Sequence, residues 1–304
     1  MYINTIVPIF VVIAVGVILR RLRFLPPDLL SPLNRLVYYL AIPAMIFHKV
    51  STAAWETHFQ PVLILAVLVP VAGAFLVALG VRWVLGIEHR DSGSFIQSSF
   101  HGNLGYIGLA VCFYALGDEG LTRASILAGF LMLMQNVLAV GALLLYAPPE
   151  QNRLSGQLVV TNILFNPVII SALAGIMFSL SGLDLPVLIS RSLGIISGMA
   201  LPLALMVIGA SLSFHLLRRY LGIALGAGVI KLFLLPGFGL ALASLLELNM
   251  ALFAPALLLL AAPTATVAVV MAGEISGSPD FASAAVALNT LLSAVSYSLW
   301  LSMV

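Results

Sequence analysis

Charge is what this chain has least of. Only 8% of its 304 residues are Asp, Glu, Lys or Arg, against about 25% in a soluble domain. With 62% hydrophobic residues, a water-facing surface cannot be built without leaving large greasy patches. The 13 basic residues form no tract, and a net charge of +2 gives nucleic acid nothing to hold. Low-complexity linkers are missing too, so no soluble domain is set apart. The single cysteine, Cys112, excludes an intrachain disulfide, and inside an apolar run it reads as a small buried hydrophobe rather than a reactive thiol. There is no His-Glu-x-x-His and no Gly-x-Ser-Gly. The nearest string to Gly-x-Gly-Asp, Ala115-Leu116-Gly117-Asp118, lacks its first glycine and sits at the end of a run. The sequence therefore argues against an enzyme, and it offers no metal or cofactor site.

What fills the chain instead is apolar runs. A membrane-crossing helix needs roughly 20 mainly apolar residues, and by that ruler ten spans are expected. They fall near 5–22, 33–50, 61–86, 95–116, 122–147, 157–181, 186–213, 220–246, 250–273 and 281–303. The fold class is then all-α and integral to a bilayer. The first basic cluster, Arg20, Arg21 and Arg23, follows the first run instead of preceding it, unlike a secretory signal. Loops after the odd-numbered spans share one face and hold eight cations, these three with Arg82, Arg90, Arg153, Arg218 and Arg219. The opposite face has Lys49, Arg123 and Arg191. The positive-inside rule then places both termini on the non-cytoplasmic side of the cell's inner (plasma) membrane.

The runs repeat. Pro8, Gly16, Pro27, Pro43 and Gly80 return as Pro167, Gly175, Pro186, Pro202 and Gly239, in each case 159 positions on (167 less 8, for example). Five crossings per copy turn the second copy upside down, giving inverted repeats at 1–147 and 148–304. Secondary transporters are built this way, with the cargo near the midplane where the copies meet.

Two spans look interrupted. Span 4 carries SSFHGNLGYIGLAV (98–111), where Gly102, Gly105 and Gly108 accompany His101 and Asn103. Each glycine weakens a helix by about 1 kcal/mol relative to alanine. The counterpart in span 9 is LLLLAAPTATVAVV (257–270). There Pro263 removes a donor, and Thr264 and Thr266 can bond the orphaned carbonyls. Half-helix N-termini at such breaks favour an anion. Close packing of small residues and a simple proline kink are the competing readings.

Lys231 lies about eleven positions into span 8, near mid-depth at about 1.5 Å per residue. A cation there is costly and marks function by default. No acid lies at similar depth, since Glu247, Glu274 and Asp118 fall at span ends. Three readings stay open: a neutral amine, a substrate carboxylate as partner, or backbone carbonyls and a watery vestibule. His101 is the other titratable group at depth and the proton-coupling candidate, with a structural hydrogen bond as the alternative. Gln97, Gln135, Asn136, Asn162, Asn166, Asn289 and Thr290 are further candidates to line the path or bond between helices.

PLNRLVYYLAIPAMIF (32–47), HGNLGYIGLA (101–110), Lys231 with Pro236, and APTATVAVVMA (262–272) together resemble the auxin efflux carrier family, which includes plant PIN proteins and bacterial malate and malonate carriers. The resemblance covers essentially the whole chain. Its most specific part is Asn103 with Gly108, followed by Pro263. It implies ten spans in two inverted five-helix repeats, with helices 4 and 9 broken and crossing at the site. By the same resemblance Asn103 contacts a substrate carboxylate, Pro263 marks the second half of the crossing, and the protein is expected to form a homodimer. Gly102 stands where the plant carriers have proline, and Ala110 where many members have the proline of Gly-x-Pro, so auxin itself is not implied. The loop around Pro148 and Pro149 is about ten residues and holds no regulatory region.

The expected function is secondary transport of small organic anions such as malate, malonate or auxin-like acids, driven by protons or by the anion's own gradient. Substrate-binding candidates are Gly102, Asn103, Gly105, Lys231, Pro263, Thr264 and Thr266, and the partners are the anion and the lipid bilayer. A sodium-coupled carrier of the bile acid symporter type is one alternative. It is disfavoured because only threonines, and no acid, surround Pro263. A channel or membrane-embedded sensor is the other.

Overall fold

A computed structural model describes residues 3–53, 60–147, 165–275 and 277–304. Pro148, Pro149, Arg153 and Asn162 lie outside the described residues, as does the loop between the two expected copies. Every regular element among the described residues is a helix. In chain order these are α1 (Ile3–Arg21), α2 (Pro27–Ser51), α3 (Pro61–Val84), α4 (His89–Phe100), α5 (Leu104–Leu144) and α6 (Pro167–Leu180). They continue with α7 (Val187–Ser211), α8 (Leu217–Leu245), α9 (Met250–Leu260), α10 (Val267–Ile275) and α11 (Pro279–Leu301). Six of them, α2, α3, α5, α7, α8 and α11, are long and apolar enough to cross a bilayer.

Local chemistry sets the ends. Proline opens α2, α3, α6 and α11, where its missing N–H costs nothing. Asn166, one of the expected path-lining residues, is instead the N-cap of α6, its Oδ1 accepting from Val168 N at 2.9 Å. Asn249 caps α9 in the same way. Gly117, at φ 69°, divides α5 into two helices, between the spans expected at 95–116 and 122–147. A side chain is strained in that conformation. Three wide π-turns were not foreseen, at Val37–Ala41 in α2, Leu104–Gly108 opening α5 and Ile230–Leu234 in α8.

Packing is closest where glycine lets backbones touch. A Cβ on Gly16 of α1 would collide with the Met206 carbonyl of α7, and one on Gly209 of α7 with the Ile13 carbonyl of α1. A Cβ on Gly175 of α6 would lie 2.9 Å from Val50 Cβ and 3.3 Å from the Phe47 carbonyl of α2. These two crossings use equivalent positions. Gly16 and Gly175 differ by 159, as do Phe47 and Met206, and Val50 and Gly209. The centre of the molecule is formed by α4, buried from Asp91 to Phe100, and by the inner face of α11. Leucines and valines such as Leu76, Leu188 and Val295 point outward, as a lipid-facing rim requires.

Gly209→Val is expected to destabilise the protein by at least about 1–3 kcal/mol, because a helix backbone has to retreat. Gly80→Ala, whose new Cβ meets nothing within 4 Å, is expected to stay within about 0.5 kcal/mol of the parent. Denaturation in detergent micelles, followed by circular dichroism, compares the two.

Candidate functional site

The glycine-rich stretch does break its helix. α4 ends at Phe100, His101 is extended (φ −76°, ψ 99°), and Asn103 (φ −76°, ψ 71°) caps the restart at Leu104. In the other half α9 stops at Leu260 and α10 begins at Val267, with Pro263 between them. The two breaks meet. Asn103 N–H donates to the Pro263 carbonyl at 2.7 Å, and Ala265 N–H donates to the His101 carbonyl at 2.9 Å. Gly102 and Thr264 thus face each other in an isolated antiparallel bridge. The two bonds are the reciprocal pair that closes an antiparallel bridge.

Side chains satisfy what the bridge leaves. Thr264 Oγ1 donates to the Ser98 carbonyl at 2.8 Å, an orphan of the last turn of α4, and accepts from Asn289 Nδ2 of α11 at 2.7 Å. Gly102 N–H donates to Gln135 Oε1 at 3.1 Å. Lys231 is fully buried, and its Nζ donates to the Leu260 carbonyl at 2.7 Å. That carbonyl ends α9, where the helix dipole presents about half a negative charge. Lys231 is thus bonded to a backbone carbonyl, a bond that a charged or a neutral amine can donate. The lysine also presses on the first break, since a Cβ on Gly102 would lie 3.3 Å from Nζ. Tyr297 OH donates to the Leu258 carbonyl, and Trp300 Nε1 to the Leu232 carbonyl inside the π-turn around Lys231.

His101, Gly102, Asn103, Lys231, Pro263 and Thr264 are therefore brought together. Gly105 is not. Its Cβ would face Met132 at 3.3 Å and Ile42 at 3.8 Å, so it serves helix packing. Thr266 is half-buried at the start of α10, and its hydroxyl has no partner among the described residues. His101 Nδ1 lies 3.4 Å from Gln97 Nε2, which is itself 3.3 Å from Met271 Sδ. Several buried polar atoms here have no partner among the described residues, including the amide donors Asn103 Nδ2 and Gln135 Nε2 and the acceptor Gln97 Oε1. Ser98, Tyr297 and Trp300 carried no sequence signal, because each acts through a carbonyl freed by the breaks or by a π-turn.

An all-helical chain with several apolar crossings, and two interrupted segments paired at its core, defines a membrane transport architecture. The chain belongs to the family described as membrane transport protein, whose model matches residues 1–301. It is similar to an "uncharacterized transporter" of Methanothermobacter thermautotrophicus, 27% identical over 299 residues, covering 98% of this chain and 96% of that one. It is also similar to a "putative malonate transporter" of Rhizobium meliloti, 25% identical over 220 residues, 70% of this chain and 68% of that one. A transporter-named protein of Methanocaldococcus jannaschii is 23% identical over 247 residues, 79% of each chain. The protein is a multi-pass membrane transporter and not an enzyme.

Thr264→Val removes the donor to Ser98 and the acceptor for Asn289, at about 1–3 kcal/mol for each buried group left unpaired. Thr264→Ser keeps both bonds and is expected to retain most of the stability. Denaturant titration of the two variants in micelles checks the ordering.

Proposed function

We propose that the protein is a secondary carrier of small organic anions, with the substrate carboxylate held at the crossing. The observation that carries this reading is the pair of buried amide donors beside Gly102. Asn103 Nδ2 and Gln135 Nε2 have no protein partner among the described residues, and a carboxylate offers acceptors for both. The N-termini of α5 and α10 open at the same crossing and add positive dipole ends. Thr266, at the start of α10, is a further hydroxyl for the substrate. The relative named a malonate transporter supports a short dicarboxylate as the cargo class.

The equivalent crossings of α1 with α7 and α2 with α6 support two inverted five-helix repeats, 1–147 and 148–304, with ten spans. In that arrangement alternating access is one group of helices rocking against the other. Both termini lie on the non-cytoplasmic side of the plasma membrane by the arginine distribution, and the carrier is a homodimer. The absence of an acid around Pro263 weighs against sodium coupling. His101 is the proton-coupling residue, with the anion's own gradient as the alternative drive. A channel or sensor is the competing reading, and counterflow separates it from a carrier.

In proteoliposomes, saturable counterflow of radiolabelled malonate or malate is expected. Asn103→Ala should lower it at least tenfold, a loss of about 1.4 kcal/mol, while leaving the protein folded. Lys231→Gln should also weaken it. Normal kinetics in Asn103→Ala would remove the crossing as the binding site, and flux without saturation or counterflow would make the protein a pore.

A further inference from the structure

Only two of the 13 basic residues are lysines. One is Lys231 at the crossing. The other, Lys49, lies in the last turn of α2, at the mouth of a separate cleft of about 290 Å³ between α2, the Gly117 kink of α5 and the first half of α7. That volume is at the small end of the range for ligand sites. Its walls combine apolar residues, including Met45, Phe113, Leu201 and Pro202, with the polar His48, Lys49, Asp118 and Ser197. There Lys49 pairs with Asp118, and His48 Nε2 lies 3.1 Å from Ser190 Oγ.

We propose that this cleft is a second organic-anion site, a vestibule in which a substrate carboxylate exchanges with Asp118 for Lys49 and takes a further bond from His48. The inference rests on the anion-carrier reading and adds a place where the anion is held before the crossing. Three observations support it.

The ion pair is lopsided. Asp118 is 72% exposed, whereas Lys49 is 25% exposed, so the acid can swing into water while the lysine stays in the cleft wall. Exposed pairs of this kind hold weakly. Asp118 also loses little by leaving. It begins the helix that restarts after Gly117, and a carboxylate in a first turn is favoured by the free amides there. The cleft combines polar donors with an apolar lining, which suits a short carbon chain ending in a carboxylate. Gly194 and Gly198 of α7 keep the opposite wall low.

A structural ion pair and an anion site make opposite predictions. If the pair only clamps α2 to α5, Lys49→Gln and Asp118→Asn shift behaviour in the same direction. If Lys49 is the anion's partner, Lys49→Gln raises the half-saturating malonate concentration for counterflow about tenfold, and Asp118→Asn lowers it severalfold. A second readout does not need transport. Ser197→Cys places a thiol in the cleft wall, with the fully buried Cys112 as background. Labelling by the anionic reagent 2-sulfonatoethyl methanethiosulfonate should be slowed by malonate. It should fall severalfold when Lys49→Gln is added and rise with Asp118→Asn. Labelling indifferent to malonate and to both substitutions overturns the vestibule site, even where wild-type counterflow is normal. Malonate protection without any counterflow keeps the vestibule and overturns the carrier.

Discussion

A peptide group released from a helix inside a bilayer has no water to turn to, and leaving it unpaired costs several kcal/mol. The arrangement at the centre of this molecule follows from that constraint. Two breaks, at 101–103 and 261–266, answer each other with reciprocal backbone bonds. Neither break is affordable alone, since each supplies the other's partner. Thr264 extends the same solution to the end of α4, and Asn289 ties it to α11. The site is thus held by helices distant in sequence, and its polarity is fixed by backbone rather than by a bank of charged side chains.

Lys231 fits this economy. A mid-membrane cation is costly unless something carries the opposite charge, and no carboxylate pairs with Lys231 among the described residues. The end of α9 supplies the compensation as a dipole, through the Leu260 carbonyl. The π-turn around Lys231 loosens a carbonyl in return, and Trp300 covers it.

The sequence made the coarse plan legible because the plan is written in apolar length, proline and glycine. The helical, multi-crossing character and the two breaks could be read from Gly102, Pro263 and the runs around them, and Lys231 is buried as its place in an apolar run implies. What could not be read is where side chains point. Gly105 looks like part of the site by position, yet faces Met132 and Ile42. Asn166 is polar within an expected span, yet caps its own helix. Gln135 was one polar residue among several, and it stands out only because the break turns Gly102 N–H toward it. The π-turns leave no trace in composition, since they shift hydrogen bonds without changing which residues are apolar.

The glycine crossings bear on how the chain is made. Gly16 is seated against Met206, and Gly175 against Phe47 and Val50, so α1 and α2 each find their closest neighbour more than a hundred residues later. While the ribosome is still building the first half, both helices sit in the membrane with their tightest grooves unfilled. A chain cut short after residue 147 would keep both of these grooves open. Assembly of this transporter is therefore committed late, when α6 and α7 arrive together to close both grooves.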